Sequence, residues 1–362
     1  MCLKSTKGNT SFVHLNITHS SNDPRIKYRW IRSLEKKGIK SIFVAHKNAD
    51  STDKDAHHHF IPDWCSNRFL GVIFNLFIIF KNLSKKNFVL HNLELLLLAP
   101  FLKICGKRVI YDVHEDFRSY VLQLPKYSKH VRYLISNIIK FYELILVSIF
   151  CNSITCATGT IKKNYAKNRT YLLPNFPLKE MFSGIKKSHS SKKIVTYVGA
   201  LSKQKGFDEM LEIAKLCQDD NNIQFIFAGK YTEPYIRKAL TKPEKNITYL
   251  GEVDQSEIVK LLMNSDIGLC LLHETKSYTE SMPLKIFEYI NSETFVIASN
   301  FKNWEFLEKK SVGKVFQYND LKAISLFIKG FSSFNNLTTR YYFDNYINLF
   351  LEKEFYENSN YF

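Results

Sequence analysis

The stretch KIVTYVGALSKQKGFD, residues 193–208, reads as a strand, a glycine-bounded loop and the first turn of a helix. Its apolar run is short, as in a strand covered on both faces of a sheet. The loop from Gly199 to Gly206 carries Lys203 and Lys205. A strand-to-helix turn offers free backbone N–H groups and the positive end of a helix, and a lysine there adds a full charge for a phosphate. A plain surface turn with solvated lysines has the same letters, so the neighbouring segments must decide.

Downstream, IQFIFAGK (223–230), ITYLGEV (247–253), IGLCLL (267–272), TFVIASN (294–300) and GKVFQY (313–318) read as strands, with helices over 206–217, 233–240, 254–264 and 283–291. The tail, 341–357, reads as a helix. Upstream, SFVHLNI (11–17), KSIFVAHK (40–47), NFVLHN (87–92), KRVIYDVHE (107–115), NSITCAT (152–158) and RTYLLPN (169–175) are strand-like. Between them lie helical stretches at 25–38, 65–83, 93–105 and 128–150, and a polar loop at 48–59. Strands alternating with helices predict an α/β chain with parallel sheets. The 362 residues suffice for two domains. The expectation is two tandem doubly wound, Rossmann-like domains facing across a cleft, with ligands at the carboxyl ends of the strands. The Ser/Lys-rich segment 183–193 marks the boundary, giving domains 1–182 and 183–340, and 341–362 packs back on the first.

The balance of 45% hydrophobic and 23% charged residues excludes a disordered or collagen-like chain. Seven cysteines without a Cys-x-x-Cys pair exclude a disulfide framework or a four-cysteine zinc site. The net charge of +17 is lopsided: residues 1–180 hold 28 Lys/Arg against 12 Asp/Glu, and the remainder 23 against 22. A basic first half suits an anionic partner, which could be a nucleic acid, an acidic membrane surface or an anionic substrate. No signal peptide is read at the start, and the apolar runs 69–80 and 144–150 fall short of the ~20 residues that span a bilayer. The expected location is cytoplasmic, with peripheral contact to the inner face of the membrane.

Three more segments fall at strand ends. In TESMPLKIFEYI (279–290), Pro283 suits a helix start, Glu280 lies before it and Glu288 about one and a half turns in. Two such carboxylates can grip two hydroxyl groups of one ligand, with the helix tip between them facing a diphosphate. YDVHEDF (111–117) sets His114, Glu115 and Asp116 after an apolar strand, a general acid/base with carboxylates to orient it or an acceptor hydroxyl. THSSNDPRI (18–26) offers His19, Asp23 and Arg25 for acceptor groups, or a local turn and ion pair. DKD (53–55) and HHH (57–59) have metal-like letters, but they sit in a polar loop and adjacent histidines cannot all converge on one ion. No metal and no cofactor is expected.

In combination these motifs resemble retaining GT-B fold glycosyltransferases of glycosyltransferase family 4, in particular a subgroup that builds bacterial surface polysaccharides. The carriers are VGALSKQKG (198–206), FIFAG (225–229), ITYLGEV (247–253), ESMPLKIFEY (280–289) and FVIAS (295–299), with Glu280 and Glu288 as the Glu-x7-Glu pair. HSSNDPRI (19–26), VLHNLELL (89–96), VIYDVHEDF (109–117) and LLPNFP (172–177) extend the likeness over the first half.

The resemblance implies transfer of a sugar from a nucleoside diphosphate sugar, commonly a UDP-sugar, to a hydroxyl of a glycan or lipid-linked glycan, with retention and without metal. It makes Lys205 the diphosphate ligand and, with His114 and Glu280, a catalytic group. Gly199 and the run Ser281, Met282, Pro283, Leu284 and Lys285 join the donor site, Glu280 contacts the sugar, Glu288 the ribose, and Glu94 lies near the cleft mouth. Where the family carries Arg after the glycine of VG, this chain has Ala200. Lys285, or Lys203, then supplies the missing charge. Competing readings are a nucleotide-sugar epimerase of similar fold, a non-enzymatic glycan-binding module, and an anionic-polymer-binding protein. A nucleic-acid partner is not expected, since no motif with stacking aromatics stands out.

Overall fold

The structure, a computed structural model, describes residues 11–47, 57–65, 67–114, 116–124, 126–188, 190–241, 243–279, 281–334 and 340–356. These residues fall into two compact units, one drawn from Met1–Asn175 with Phe343–Phe362, the other from Phe176–Tyr342.

The first unit is a seven-stranded sheet built from β1 (Ser11–Leu15), β2 (Lys40–Ala45), β3 (His57–Phe60), β4 (Asn87–Leu90), β5 (Arg108–Val113), β6 (Ser153–Cys156) and β7 (Thr170–Leu172). The order is 3-2-1-4-5-6-7, and every pairing is parallel. Central strands such as β1 and β4 are buried along their whole length, which is why their letters run apolar instead of alternating. Val13, Leu15, Phe88, Leu90, Val109 and Tyr111 supply their part of the core.

Four helices of this unit matter below: α1 (Arg68–Lys81), α2 (Ala99–Ile104), α3 (Phe117–Gln123) and α4 (Lys129–Phe150). The crossovers β3 to β4, β4 to β5 and β5 to β6 all step the same way across the sheet. Right-handed connection therefore puts α1, α2 and α4 on one face. The connection from β1 to β2 steps the other way. It opens as a wide π-type turn, Ile26–Ile31, continues as Arg32–Glu35 and leaves through Gly38 at φ 73°.

The second unit has six parallel strands: β8 (Lys193–Val198), β9 (Ile223–Ala228), β10 (Ile247–Tyr249), β11 (Ile267–Cys270), β12 (Phe295–Ser299) and β13 (Gly313–Phe316). Their order is 10-9-8-11-12-13. Val195, Phe225, Phe227, Leu269 and Ile297 line its core. Two helices, α5 (Phe207–Leu216) and α6 (Leu284–Asn291), follow β8 and β11. In each sheet the chain reverses its direction of travel beside the first strand. The switch point lies between β1 and β4 in one sheet and between β8 and β11 in the other, where such sheets take ligands.

One expected loop is different. Residues 57–59, read as the end of a polar loop, form with Phe60 the edge strand β3, in register from Ile42 opposite His57 to Ala45 opposite Phe60. Neighbouring backbone, not its own letters, makes HHHF a strand. The Asp-x-Asp letters at 53–55 lie outside the described residues. The tail forms a helix, α7 (Phe343–Leu351), that belongs to the first unit: Phe350 meets Trp30 and Tyr171 with ring centroids 5.6 and 5.1 Å apart.

Candidate functional site

At the switch point of the second sheet, backbone geometry comes first. Gly199 follows β8 at φ 123° and Gly206 precedes α5 at φ 79°, a region L-residues avoid. A Cβ on Gly206 would stand 2.0 Å from the Leu271 carbonyl oxygen, so the loop after β8 lies directly on the segment after β11. Tyr289, on α6, locks the same junction. Its hydroxyl donates to the Leu269 carbonyl (3.2 Å) and accepts from the Val198 N–H (3.2 Å), and its ring fills the space a Cβ on Gly268 would need.

This frame positions two ammonium groups. Lys205 closes the short helical turn Lys203–Lys205, and Lys285 sits in the first turn of α6. The Lys285 Nζ lies 3.7 Å from the centre of the Tyr197 ring and beside Gly199, where a Cβ would come within 3.2 Å of it. A side chain at Gly199 would crowd that ammonium and strain the backbone, which has φ 123° there. The Tyr197 hydroxyl donates to the Ala200 carbonyl, 2.8 Å away, so the ring is fixed. Burial pushes the Lys285 ammonium below its usual range; Lys205 is lowered by burial and then by the like charge of Lys285. Burial also pushes the Cys270 thiol up to about 11, so it stays protonated between them. Among the described residues, neither lysine has a carboxylate at ion-pair distance. Two close, desolvated cations at a helix start make a site for an anion.

Of the other donor-site candidates, Pro283 caps α6, and Met282 and Leu284 flank it on the backbone. The Ser281 hydroxyl donates to the Tyr278 carbonyl at 2.8 Å, and its own carbonyl accepts from the Trp304 indole at 2.9 Å. Glu288 is buried on α6 and accepts from the Gln255 amide at 3.2 Å. Lys203 is exposed beside Lys205. Glu280 lies outside the described residues, as does Glu115 in the first unit.

At the switch point of the first sheet, the sequence reading saw His114, Arg25 and Asp23 but missed what joins them. Asp112, at the end of β5, accepts five hydrogen bonds. Its Oδ1 takes Arg25 Nη2 and the Thr155 hydroxyl, both at 2.6 Å. Its Oδ2 takes Arg25 Nε at 2.9 Å and faces His91 Nδ1 at 3.1 Å and His114 Nε2 at 3.0 Å. Burial alone would raise the Asp112 carboxyl; the Arg25 charge, His114 and His91 outweigh it and hold it well below the usual carboxylate range. Burial keeps all three histidines of the cluster neutral: His91 falls to about 4, His14 drops well below its ordinary value, and His114 is lowered too. His14 Nδ1 meets His91 Nε2 at 3.0 Å.

Protonation of His14 and His91 on Nδ1 and of His114 on Nε2 satisfies the His14–His91 contact and both contacts to Asp112, and leaves His91 Nδ1 and His114 Nε2 facing each other as donors 3.1 Å apart. It leaves the Nδ1 of His114 as a hydrogen-bond acceptor. The His114 ring stacks on His19, centroids 5.0 Å apart. His19 Nδ1 pairs with Asp23 Oδ2 at 2.9 Å. Burial raises the Asp23 carboxyl, but His19 and the Ile26 N–H bring it down to about 2. A cavity of about 330 Å³ opens over this cluster, bounded by Thr18, His19, Arg68, His91, His114 and Tyr120 among others.

His91, Asp112 and His114 bring ligand atoms within 4.8 Å of one another, a spacing a metal ion could use. The donor set argues otherwise. Arg25 donates to both Asp112 oxygens, and a divalent cation there would face that fixed positive charge. Arg25 also donates to the Leu173 carbonyl (2.8 Å) and the Asn175 amide oxygen (2.6 Å), so its charge is spent inside the unit. Asp116 caps α3, accepting from the Arg118 and Ser119 N–H groups, and its other oxygen accepts from the Ser119 hydroxyl. His91, Asp112 and His14 were missed because they sit inside apolar strand runs. The available signal was a polar letter at a strand end: Asp in VIYDV and His in VLHN.

Residues 179–336 match the family described as glycosyl transferases group 1. No curated protein matches the sequence. Solved structures with the same architecture include a glycosyltransferase from Rickettsia africae, 13% identical, covering 89% of this chain and 87% of that one at a TM-score of 0.63. Anabaena HepE in complex with UDP and glucose is 11% identical, with 89% and 90% covered and a TM-score of 0.60. WaaG, a glycosyltransferase involved in lipopolysaccharide biosynthesis, is 12% identical, with 87% and 90% covered and a TM-score of 0.59. At such identities the likeness is one of fold. The chain thus has the two-sheet architecture of GT-B glycosyltransferases, and its residues 179–336 match the glycosyl transferases group 1 family.

Proposed function

We propose that the protein transfers a sugar from a nucleoside diphosphate sugar, with UDP as the nucleotide, to a hydroxyl of a glycan or lipid-linked glycan in bacterial surface polysaccharide synthesis. The observation that carries this reading is the Lys205–Lys285 pair at the switch point: the Lys285 ammonium stands beside Gly199 over the Tyr197 ring, Lys205 is half-buried, and among the described residues no carboxylate lies at ion-pair distance from either. In transfer, the bond from the sugar's anomeric carbon to the diphosphate breaks, and a bond to the acceptor oxygen forms. Negative charge grows on the departing diphosphate, and fixed cations stabilise it without reorganisation. The acceptor's proton passes to the leaving phosphate oxygen, which accounts for retention without a side-chain nucleophile. Lys205 and Lys285 together supply the charge a metal ion would otherwise bring.

The resemblance in the motifs gives the other roles. Glu280 binds the sugar hydroxyls and Glu288 the ribose, with Gln255 holding the latter's carboxylate in place. His114 offers its Nδ1 lone pair to a substrate hydroxyl, and His19, Asp23 and Glu115 belong to the acceptor side; Arg25 and Asp116, engaged inside the unit, support that side without touching the acceptor. With a lipid-linked acceptor, which is anionic and membrane-bound, the protein works in the cytoplasm at the inner face of the membrane.

Isothermal titration with UDP-, GDP- and dTDP-sugars tests the donor, followed by nucleotide release with glycan acceptors. UDP-sugar binding in EDTA, lost in Lys205→Met, is the expected result; undiminished binding by that variant sinks the proposal. Proton NMR of the product's anomeric centre tests retention. Solvent deuterium entering the donor sugar, without nucleotide release, would instead mark an epimerase.

A further inference from the structure

The helical layer over one face of the first sheet is left uncovered in an unusual way. On α4, Val131, Leu134, Ile138, Phe141, Ile145 and Ile149 recur at three- and four-residue spacing and are exposed, Leu134 by 61% and Phe141 by 63%. On α1, Phe69, Ile73, Phe77 and Phe80 form a second exposed line, and Ile104 at the end of α2 is 84% exposed. The three helices share that face by the handedness of their crossovers, and Phe80 packs on Phe101 of α2 at 5.1 Å. Soluble surfaces scatter single apolar residues; a contiguous field of this kind marks an interaction site.

Charge selects the partner. The residues of 68–81, 93–104 and 129–150 include Arg68, Lys81, Lys103, Lys129, Arg132 and Lys140. The acids among them are Glu94, which pairs with Arg68, and Glu143, which is buried. A second copy of the same face would set these cations against one another. An anionic lipid surface would neutralise them while taking up the apolar lines.

By length and composition α4 could cross a membrane, with a mean hydropathy of 1.6. Its other side is tied down, however. Glu143 accepts from the hydroxyls of Tyr111 and Tyr165 and from Arg118, and Val147 packs in the core. Crossing would tear a carboxylate from its partners and carry it into hydrocarbon.

We propose that α4, with α2 beside it and α1 beyond on the same face, lies in the plane of an anionic bilayer and inserts its Leu134–Phe141 side between the headgroups. The proposal rests on the membrane part of the reading above and on none of its chemistry.

Flotation of the full-length protein with phosphatidylcholine vesicles, with and without 30% phosphatidylglycerol (about a third, as in an acidic leaflet), tests it. The wild type should float with the anionic vesicles at low salt and less so at high salt. Leu134→Asp/Phe141→Asp should lower the bound fraction at least about tenfold, as expected for two charges placed in an apolar interface, with an unchanged melting temperature. Absence of flotation at low salt, equal binding to neutral vesicles, or a double variant that floats like the wild type would overturn the proposal. So would a concentration-dependent dimer that the double variant abolishes, with no vesicle binding, since the occupant would then be a second copy. Nucleotide release by the double variant on a water-soluble acceptor reads the chemistry separately.

Discussion

Asp112 is the residue on which the first unit's site turns. Its carboxylate is the common partner of Arg25, His91, His114 and Thr155, all drawn from different parts of the chain. Asp112→Asn would leave the Arg25 guanidinium buried beside a neutral amide, a loss of about 3–5 kcal/mol on breaking a buried pair; urea unfolding checks it. Protonation gives a second test. The His91 pKa falls from an ordinary 6.5 to about 4 in the fold, because burial disfavours the imidazolium. The unfolded chain therefore binds the extra proton first. Stability from this group is complete above about pH 6.5 and is lost as the pH falls toward 4, reaching about 2 kcal/mol at pH 5. His91→Asn should flatten that slope between pH 7 and 5; an unchanged slope would place the protonation elsewhere. In the second unit, Lys285→Met should raise the donor's KM about ten- to a hundredfold, the loss of one charge-assisted contact of about 1.5–3 kcal/mol. Steady-state kinetics against Lys203→Met separates the two lysines, for Lys203 is exposed and should matter less. The sequence singles out Lys205 and Glu288 as candidates because phosphate and sugar chemistry uses few residue types, here in a loop and a helix that follow strands. Asp112, His91 and His14 could not, because what makes them a cluster is contact between residues far apart in sequence.

At the scale of elements, apolar runs revealed the central strands, since a strand covered on both faces has no polar side to show. That rule fails at edges. β3 is HHHF, and its existence depends on β2 offering unpaired backbone groups. It also fails where a helix is uneven: the Leu-rich segment at 93–105 is a tight 3₁₀ stretch, Leu93–Leu98, followed by α2, a difference that shared apolar letters cannot encode. Glycines carry clearer messages when their surroundings are known. Gly206 and Gly251 both have positive φ, at 79° and 74°, and lie in the same unit. A Cβ on Gly251 meets nothing within 4 Å, whereas one on Gly206 collides with the Leu271 backbone. Gly251→Ala should therefore cost about 1–2 kcal/mol, the strain of the left-handed region alone. Gly206→Ala should cost at least about 2 kcal/mol more, because backbone must move. It should also weaken nucleotide binding, since the same shift displaces Lys205. Denaturant titration of both variants tests the stabilities; equal losses would mean the loop after β8 yields freely to the segment after β11.

On the scale of the whole molecule, the chain leaves the first unit after Asn175 and returns to it at Phe343. The returning helix is no appendage. Phe343, Ile347, Phe350 and Leu351 are buried, Phe355 packs on Phe12 at 5.5 Å, and Arg108 pairs with Glu354 at 2.8 Å. At about 1.5–3 kcal/mol per buried large side chain, the four helix residues contribute about 6–12 kcal/mol as an upper estimate. A domain's whole stability is typically about 5–15 kcal/mol. A chain ending at Tyr342 should thus lose the first unit's cooperative transition while the second unit's core, complete within Phe176–Tyr342, keeps its own. Calorimetry and limited proteolysis distinguish the two: cleavage should concentrate between residues 11 and 175, and the truncated chain should still bind UDP through Lys205 and Lys285. If the shortened protein melted like the intact one, the tail would be a surface addition and the first unit's core would have to be redrawn without it.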